Sequence, residues 1–326
     1  GERIGAPKVW EKGIDGLGVV VGVIDSGADW THEALRDKWR GYNPNDSENI
    51  NPEGNWYDAV NHKDMPYDET KKSHGTHILG TVLGQDPEGK NKIGVAPGAQ
   101  WIAAKAFDEE SSIDSWLIAA GQWMLAPNGD PNLAPDIVLL APNTLLAGWG
   151  DVHKSNDEWF RDMVIAWKAA GIIPVFGAGD NWWGGGFEGS IETPASYPES
   201  FAVGGVDENN ELLWSTNRGP APYPGFEMKP NIVAPGSNTR SSIIGGYEGG
   251  SNWVSASNAA AHAAGAVALL LSADNTLKAD DIEQILETTA TQLTDSEYTS
   301  SPNYGFGYGL LNIDAAISAI SIGRAT

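Results

Sequence analysis

The chain contains no cysteine. That absence excludes disulfides, thiolate-held structural metals and a cysteine nucleophile, and it leaves the redox compartment unreadable from cystine. Basic residues are scarce, with 20 Lys and Arg against 43 Asp and Glu and a net charge of -23. Such a field repels a phosphate backbone and favours solubility, so nucleic acid is excluded as an expected partner and the acidity reads as a solvated surface. No unbroken apolar run reaches the roughly 18 to 20 residues that a membrane span needs, and the opening GERIGAPKVWEKG lacks a signal-peptide pattern. The expectation is therefore a soluble, processed chain with no membrane partner. Internal repeats, low-complexity tracts and linkers are missing as well. With 326 residues, 41% of them apolar, one large core can close, and we expect a single domain over 1–326.

Short apolar runs alternating with helical patterns fill the rest. VVVGVI (19–24) ends at Asp25, WIAAKAF (101–107) precedes a helical SWLIAAGQWML (115–125), and DIVLLA (136–141) precedes the helical EWFRDMVIAWKAAG (158–171). IIPVFGAG (172–179) and SFAVGGV (200–206) continue the series. This is the pattern of parallel βαβ units, whose strands are apolar throughout because helices cover both faces. The fold class expected is α/β, a central parallel sheet with helices on both faces. Residues 41–72, rich in Asn, Asp, Pro and Glu, read as loops, as does GDNWWGGGFEG (179–189), where two tryptophans are placed to line a cleft. DDIEQILETT and NIDAAISAI near the end read as packing helices.

Ligands of open parallel sheets bind at the carboxyl ends of strands, where Asp25 and Asp180 both fall. Asp25 stands in VGVIDSGAD, His74 in SHGTHILGT and Ser257 in SASNAAAHAAGAVALLL. An Asp, a His and a Ser in such contexts match a nucleophilic triad. A neutral imidazole takes the serine proton, and a carboxylate fixes the imidazole's tautomer and stabilises the imidazolium. His74 opens a helical pattern, whose N-terminus disfavours the imidazolium and keeps the base neutral. His77 competes for the role within the same motif, and Ser255 competes with Ser257. Asp25 has a plainer reading as a turn former before Ser-Gly, and Asp29 reads as a loop or pocket residue.

The chain resembles the subtilisin family in IDSG, HGTH, IGVAPGA (93–99), TPASYP (193–198), KPNIVAPG (229–236) and YGLLNIDAA (308–316), which follow in the family's order over almost the whole length. ALRDKWRGYNP (34–44), NWYDAV (55–60) and WIAAKAF resemble the bacillopeptidase F type of that family most. The resemblance implies catalysis by Asp25, His74 and Ser257, a structural role for His77, a peptide or protein substrate, a pro-segment removed earlier and a secreted, extracellular setting. No cofactor is implied for the chemistry. Structural calcium held by acidic loops is an implied possibility, although no specific calcium motif occurs.

Three departures from the family's pattern surround the site. Where the family reads Gly-Thr-Ser-Met-Ala-x-Pro-His, this chain reads Ser255-Ala256-Ser257-Asn258-Ala259-Ala260-Ala261-His262. Ala261 in place of proline removes a ring clash and restores a backbone donor. Where the family's Ala-Gly-Asn supplies an oxyanion donor, Ala178-Gly179-Asp180-Asn181 puts a carboxyl group, with Asn181 as a substitute if the loop shifts by one. An ionised carboxylate there would repel the tetrahedral intermediate, and a protonated one would donate. The family's Asn-x-Ser-x-Gly-Gly pocket wall is replaced by LLAPNT, placing Ala141, Pro142 and Asn143 at the substrate. The expected activity is a serine endopeptidase acting through an acyl-enzyme on Ser257. The alternatives are a peptide ligase or transpeptidase of the same fold and a weakened or inactive subtilase that binds peptides.

Overall fold

The computed structural model describes residues 1–68, 73–108, 111–141 and 156–323, the side chains of the last three apart. In chain order the elements are α1 (Ala6–Trp10), β1 (Val20–Asp25), β2 (Trp56–Asp58), α2 (His74–Leu83), β3 (Gln100–Lys105), α3 (Asp114–Leu125), β4 (Ile137–Leu140), α4 (Arg161–Ala169), β5 (Ile173–Gly177), β6 (Phe201–Val206) and β7 (Ile232–Pro235). A hairpin of β8 (Ser241–Ile243) and β9 (Gly246–Glu248) comes next, then α5 (Ala256–Ala273), α6 (Ala279–Thr289) and α7 (Ile313–Gly323).

Seven strands form one parallel sheet in the order β2-β3-β1-β4-β5-β6-β7. The period-two alternation of each apolar strand divides its side chains between two cores. Val21 and Val23 of β1, Trp101 and Ala103 of β3, Ile137 and Leu139 of β4, and Ile173 and Val175 of β5 face the core shared with α2, α5 and α7. Ile24, Ile102, Ala104, Val138, Leu140 and Phe176 face the core shared with α3 and α4. Strands with two covered faces have no polar side to show, which is why they read as continuous apolar runs. Each fully buried aliphatic side chain contributes roughly 1.5–3 kcal/mol.

One expectation changes here. Residues 41–72 are not all loop, because Trp56–Asp58 pairs with β3 as the edge strand β2. Three residues are too few to show a period against their polar surroundings. Helix α5 is 18 residues long and apolar enough to cross a membrane by length and composition. It packs on the sheet instead, with 89% of its residues buried in the protein. On another side it meets α2, where Gly265 is required: an added Cβ would stand 2.9 Å from the Val82 carbonyl oxygen and 2.5 Å from Val95 Cβ in the segment after α2. The family's proline is absent, and α5 runs through Ala261 without a break.

Around β1 the chain order reverses. The strands following β1 in sequence, β2 and β3, lie on one side of it, while β4 lies on the other. This is the switch point at which open parallel sheets hold ligands, and it puts the carboxyl ends of β1 and β4 side by side.

Candidate active site

Asp25 closes β1 and is buried. Its Oδ1 accepts from Ser26 N–H at 2.6 Å and faces His74 Nδ1 at 2.7 Å. A carboxylate at Nδ1 holds the proton there and leaves Nε2 with its lone pair, the tautomer a general base needs. Asp25 Oδ2 is buried without a hydrogen-bond partner among the described residues.

His74 is the first residue of α2, and the backbone before it is strained. Ser73 adopts φ 48°, ψ 45°, a left-handed conformation costing about 1–2 kcal/mol for a residue with a Cβ. Its Oγ accepts from Ile244 N–H at 3.1 Å. Gly75 follows because there is no room for a side chain: an added Cβ would fall 2.1 Å from the Gly27 carbonyl oxygen.

The first amides of α2 end on side chains. Gly75 N–H donates to Ser26 Oγ at 2.9 Å, and Ser26 Oγ donates to Asp68 Oδ1 at 3.1 Å. Asp68 Oδ2 accepts from Thr76 N–H at 3.1 Å and from Thr76 Oγ1 at 2.8 Å. From the paired strand β3, buried Lys105 donates to the carbonyls of Ser26 and Phe107 at 2.6 and 2.7 Å. Ser26, Asp68 and Lys105 were not singled out in the sequence, although Ser26 lies inside the IDSG motif. Asp29 proves to be a turn residue, its Oδ1 accepting from Thr31 N–H and Oγ1.

Ser257 is the second residue of α5, the helix that begins at the same rim. Ser255 is its N-cap, with Oγ accepting from Asn258 N–H at 3.2 Å, so this hydroxyl serves the helix start. Ala256 N–H donates to Asp180 Oδ2 at 2.9 Å. The amide of Ser257 has no such partner among the described residues and remains available to an anion. The Ser257 hydroxyl is buried and makes no hydrogen bond among the described residues, so the serine-to-imidazole bond is not formed here. Catalytic hydrogen bonds are often long without substrate and tighten when it binds.

Asp180 lies just beyond β5, held by a bridge to Thr216 and only 1% exposed. Its Oδ1 accepts from Ser215 Oγ at 2.7 Å, and Oδ2 from Ala256. Burial pushes its pKa up to about 6, against the pull of these two bonds and of His74. The sequence puts this carboxyl group at an oxyanion donor's position, but in these contacts it is an acceptor turned toward α5. Asn181 is turned into its own loop, with Oδ1 accepting from Trp183 and Gly184 N–H. Of the two tryptophans expected to line a cleft, Trp183 is exposed.

Ala141 follows β4 at the rim beside Asp25 and is buried. Pro142 and Asn143 lie outside the described residues. His77 is fully buried, its ring stacked on Trp253 with centroids 3.5 Å apart and its Nε2 at 3.0 Å from the Thr239 carbonyl. Burial lowers its pKa to about 3, so it stays neutral. His262 is likewise held near 3 by burial, its Nδ1 at 2.8 Å from the Asn258 carbonyl.

Among the described residues no three His, Cys, Asp or Glu side chains gather as a metal site. The loop carboxylates are taken up by their own backbone. Asp58 accepts from the amides of Val60, Asn61 and Lys63, and Asp86 from those of Lys90 and Asn91. The calcium expectation gains no ligand set from them.

Known proteins match this chain over nearly its whole length. The model of the subtilase family matches residues 16–309. Bacillopeptidase F of Bacillus subtilis (strain 168) is 48% identical over 330 residues, covering 99% of this chain but 22% of the relative, so the chain spans about a fifth of that protein. Subtilisin DY of Bacillus licheniformis is 32% identical across 96% of both chains, and subtilisin E of Bacillus subtilis (strain 168) is 30% identical across 96% of this chain and 69% of its own. With a parallel sheet whose rim joins Asp25 to His74 and a helix that carries Ser257 in its first turn, and with these matches along its length, the chain belongs to the subtilase family.

Proposed function

We propose that the chain is a serine endopeptidase that hydrolyses peptide bonds through an acyl-enzyme on Ser257. The observation carrying this reading is the 2.7 Å contact between Asp25 Oδ1 and His74 Nδ1 at the sheet rim. It orients the imidazole so that Nε2 can act as base toward the helix start where Ser257 stands. His74 Nε2 takes the Ser257 proton as Oγ bonds to the scissile carbonyl carbon. The oxygen becomes an oxyanion, stabilised by the Ser257 amide at the N-terminus of α5. Collapse breaks the C–N bond, and the imidazolium gives its proton to the leaving amine. Water, deprotonated by the same nitrogen, then releases the acid and restores the serine. Asp25 stabilises the imidazolium in both halves. The relatives' names, bacillopeptidase and subtilisin, suit a proteolytic role, and we extend to this chain a secreted, extracellular setting and a peptide or protein substrate.

A second reading, a peptide ligase, draws support from Asp180. With Asp180 accepting from Ser215 and Ala256 where the family has a side-chain donor, the oxyanion has fewer donors, and slower hydrolysis leaves the acyl-enzyme longer for capture by an amine. Digestion of a peptide library with and without an added amine tests both, alongside labelling by a fluorophosphonate probe. Hydrolysis with label mapped to Ser257, both lost in Ser257→Ala, supports the endopeptidase. Products that are mostly amides favour the ligase, and neither label nor turnover leaves a peptide-binding subtilase.

A further inference from the structure

The geometry points to Asp180 as a positioning residue that clamps the N-terminus of α5, so that the Ser257 amide is left over for the oxyanion and the start of the helix that carries the Ser257 hydroxyl is held in place. The inference rests on the endopeptidase reading for its kinetic consequence, though not for the clamp itself. A helix start leaves its first amides without partners inside the helix. In α5 the Ala256 amide is taken by Asp180 Oδ2 at 2.9 Å and the Asn258 amide by Ser255 Oγ at 3.2 Å. Between them lies Ser257, whose amide neither group claims. Two side chains thus select which amide stays open.

The clamp is itself secured. Ser215 donates to the other carboxylate oxygen at 2.7 Å, and the Asn181 amide donates to the Ser215 carbonyl at 2.7 Å, tying the segment after β5 to the strip at 213–217. All of this is buried, where a hydrogen bond to a charged acceptor is strong and an orphaned amide is expensive. β5 passes close to the helix start: a Cβ on Gly177 would lie in ordinary contact with the Ala256 carbonyl at 3.4 Å.

The clamp also carries charge to the base. The groups facing Asp180 are Ser215 from its loop, the Ala256 amide from α5 and His74 from α2, with Asp25 of β1 beyond the imidazole. An anion at Asp180 favours the imidazolium, so it raises the pH at which His74 becomes a neutral base. Its pKa of about 6 means that at neutral pH and above the carboxyl group is mostly ionised and accepts both bonds.

Asp180→Ala and Asp180→Asn separate the parts of this inference. Alanine leaves the Ala256 amide buried and unpaired, so kcat should fall about 10²-fold with little change in KM, as expected for a nucleophile moved by about 1 Å. Asparagine accepts from Ala256 through Oδ1 and donates to Ser215 Oγ through Nδ2, so it should restore most of kcat and guard against a folding defect. Because the anion is gone, the acidic limb of kcat against pH should move to lower pH. Wild-type kcat in Asp180→Ala, or Asp180→Asn as slow as Asp180→Ala with an unmoved limb, overturns the inference. Amide hydrogen exchange across 255–260 reads the clamp without substrate. Faster exchange in Asp180→Ala than in Asp180→Asn supports it even if the protein turns over no peptide, and equal rates in all three proteins overturn it.

Discussion

Two helices begin at the same rim, and both use a buried carboxylate to receive them. At α2, which carries His74, Asp68 accepts from the Thr76 amide and from the hydroxyls of Thr76 and Ser26. At α5, which carries Ser257, Asp180 accepts from the Ala256 amide and the Ser215 hydroxyl, with the histidine's charge within reach. His74, the proposed base, is thus held by a network that ties strand to helix: Ser26, next to Asp25, bonds both Asp68 and the Gly75 amide. Ser257, the proposed nucleophile, is held by a clamp whose protonation state can change near pH 6. One end of the site is built for fixity, and the other couples position to charge.

The largest effect that tests this division is loss of either reacting group. His74→Ala and Ser257→Ala should each lower kcat by about 10⁶-fold, a magnitude carried over from subtilisin, a relative. The double variant should be no slower than either one. Additive losses in the three kinetic measurements would mean that the two helix starts do not work as a unit. Next comes Asp68→Ala, which strands the Thr76 amide and hydroxyl and the Ser26 hydroxyl. A loss of about 3 kcal/mol is expected, read as a lowered denaturant midpoint at constant m. A change in kcat without a change in midpoint would make the base end resemble the nucleophile end and remove the contrast.

A smaller, pH-dependent effect belongs to Asp180. Its folded pKa is raised from 3.8 to about 6, so the stability it contributes is fully present below pH 3.8 and is lost as pH rises through 6. Asp180→Asn should therefore match the wild type near pH 4 and exceed it at pH 8, by about 2 kcal/mol at one pKa unit per 1.36 kcal/mol with some relaxation. Thermal melts at the two pH values check this, and equal differences at both would show that burial does not penalise the charge. Smallest is Ser255→Ala, which removes the cap of α5 and should cost about 1 kcal/mol. If the same substitution abolished labelling by a fluorophosphonate, Ser255 would be the nucleophile and the clamp would guard the wrong serine.

Much of this fold was legible in the sequence, for a physical reason. Strands covered on both faces must be apolar at every position, so β1, β3, β4, β5 and β6 announce themselves as runs. β2 did not, being three residues at the sheet edge, and neither did the short hairpin of β8 and β9. In the site, Asp25 and His74 were legible because each is fixed by local motif geometry at a strand end and a helix start. Asp180 could be located but not understood: its partner Ala256 lies 76 positions away along the chain, and only folding brings the two together. Ser215 and Asp68 carry no local signal at all, since a serine and an aspartate in loops look alike whether solvated or buried.

The small side chains of α5 make that helix a lever. With its flank pressed on the sheet and Gly265 leaving no space before Val95, bulk added midway along the shaft has nowhere to go except into a displacement of the whole rod. Ser257 rides at the tip, so a methyl group placed about two turns away is felt as a shift of the reacting oxygen. Mutational tolerance along α5 should therefore follow the sides of the rod packed on the sheet and on α2 and not distance from Ser257, with substitutions remote from any substrate silencing the site by translation alone.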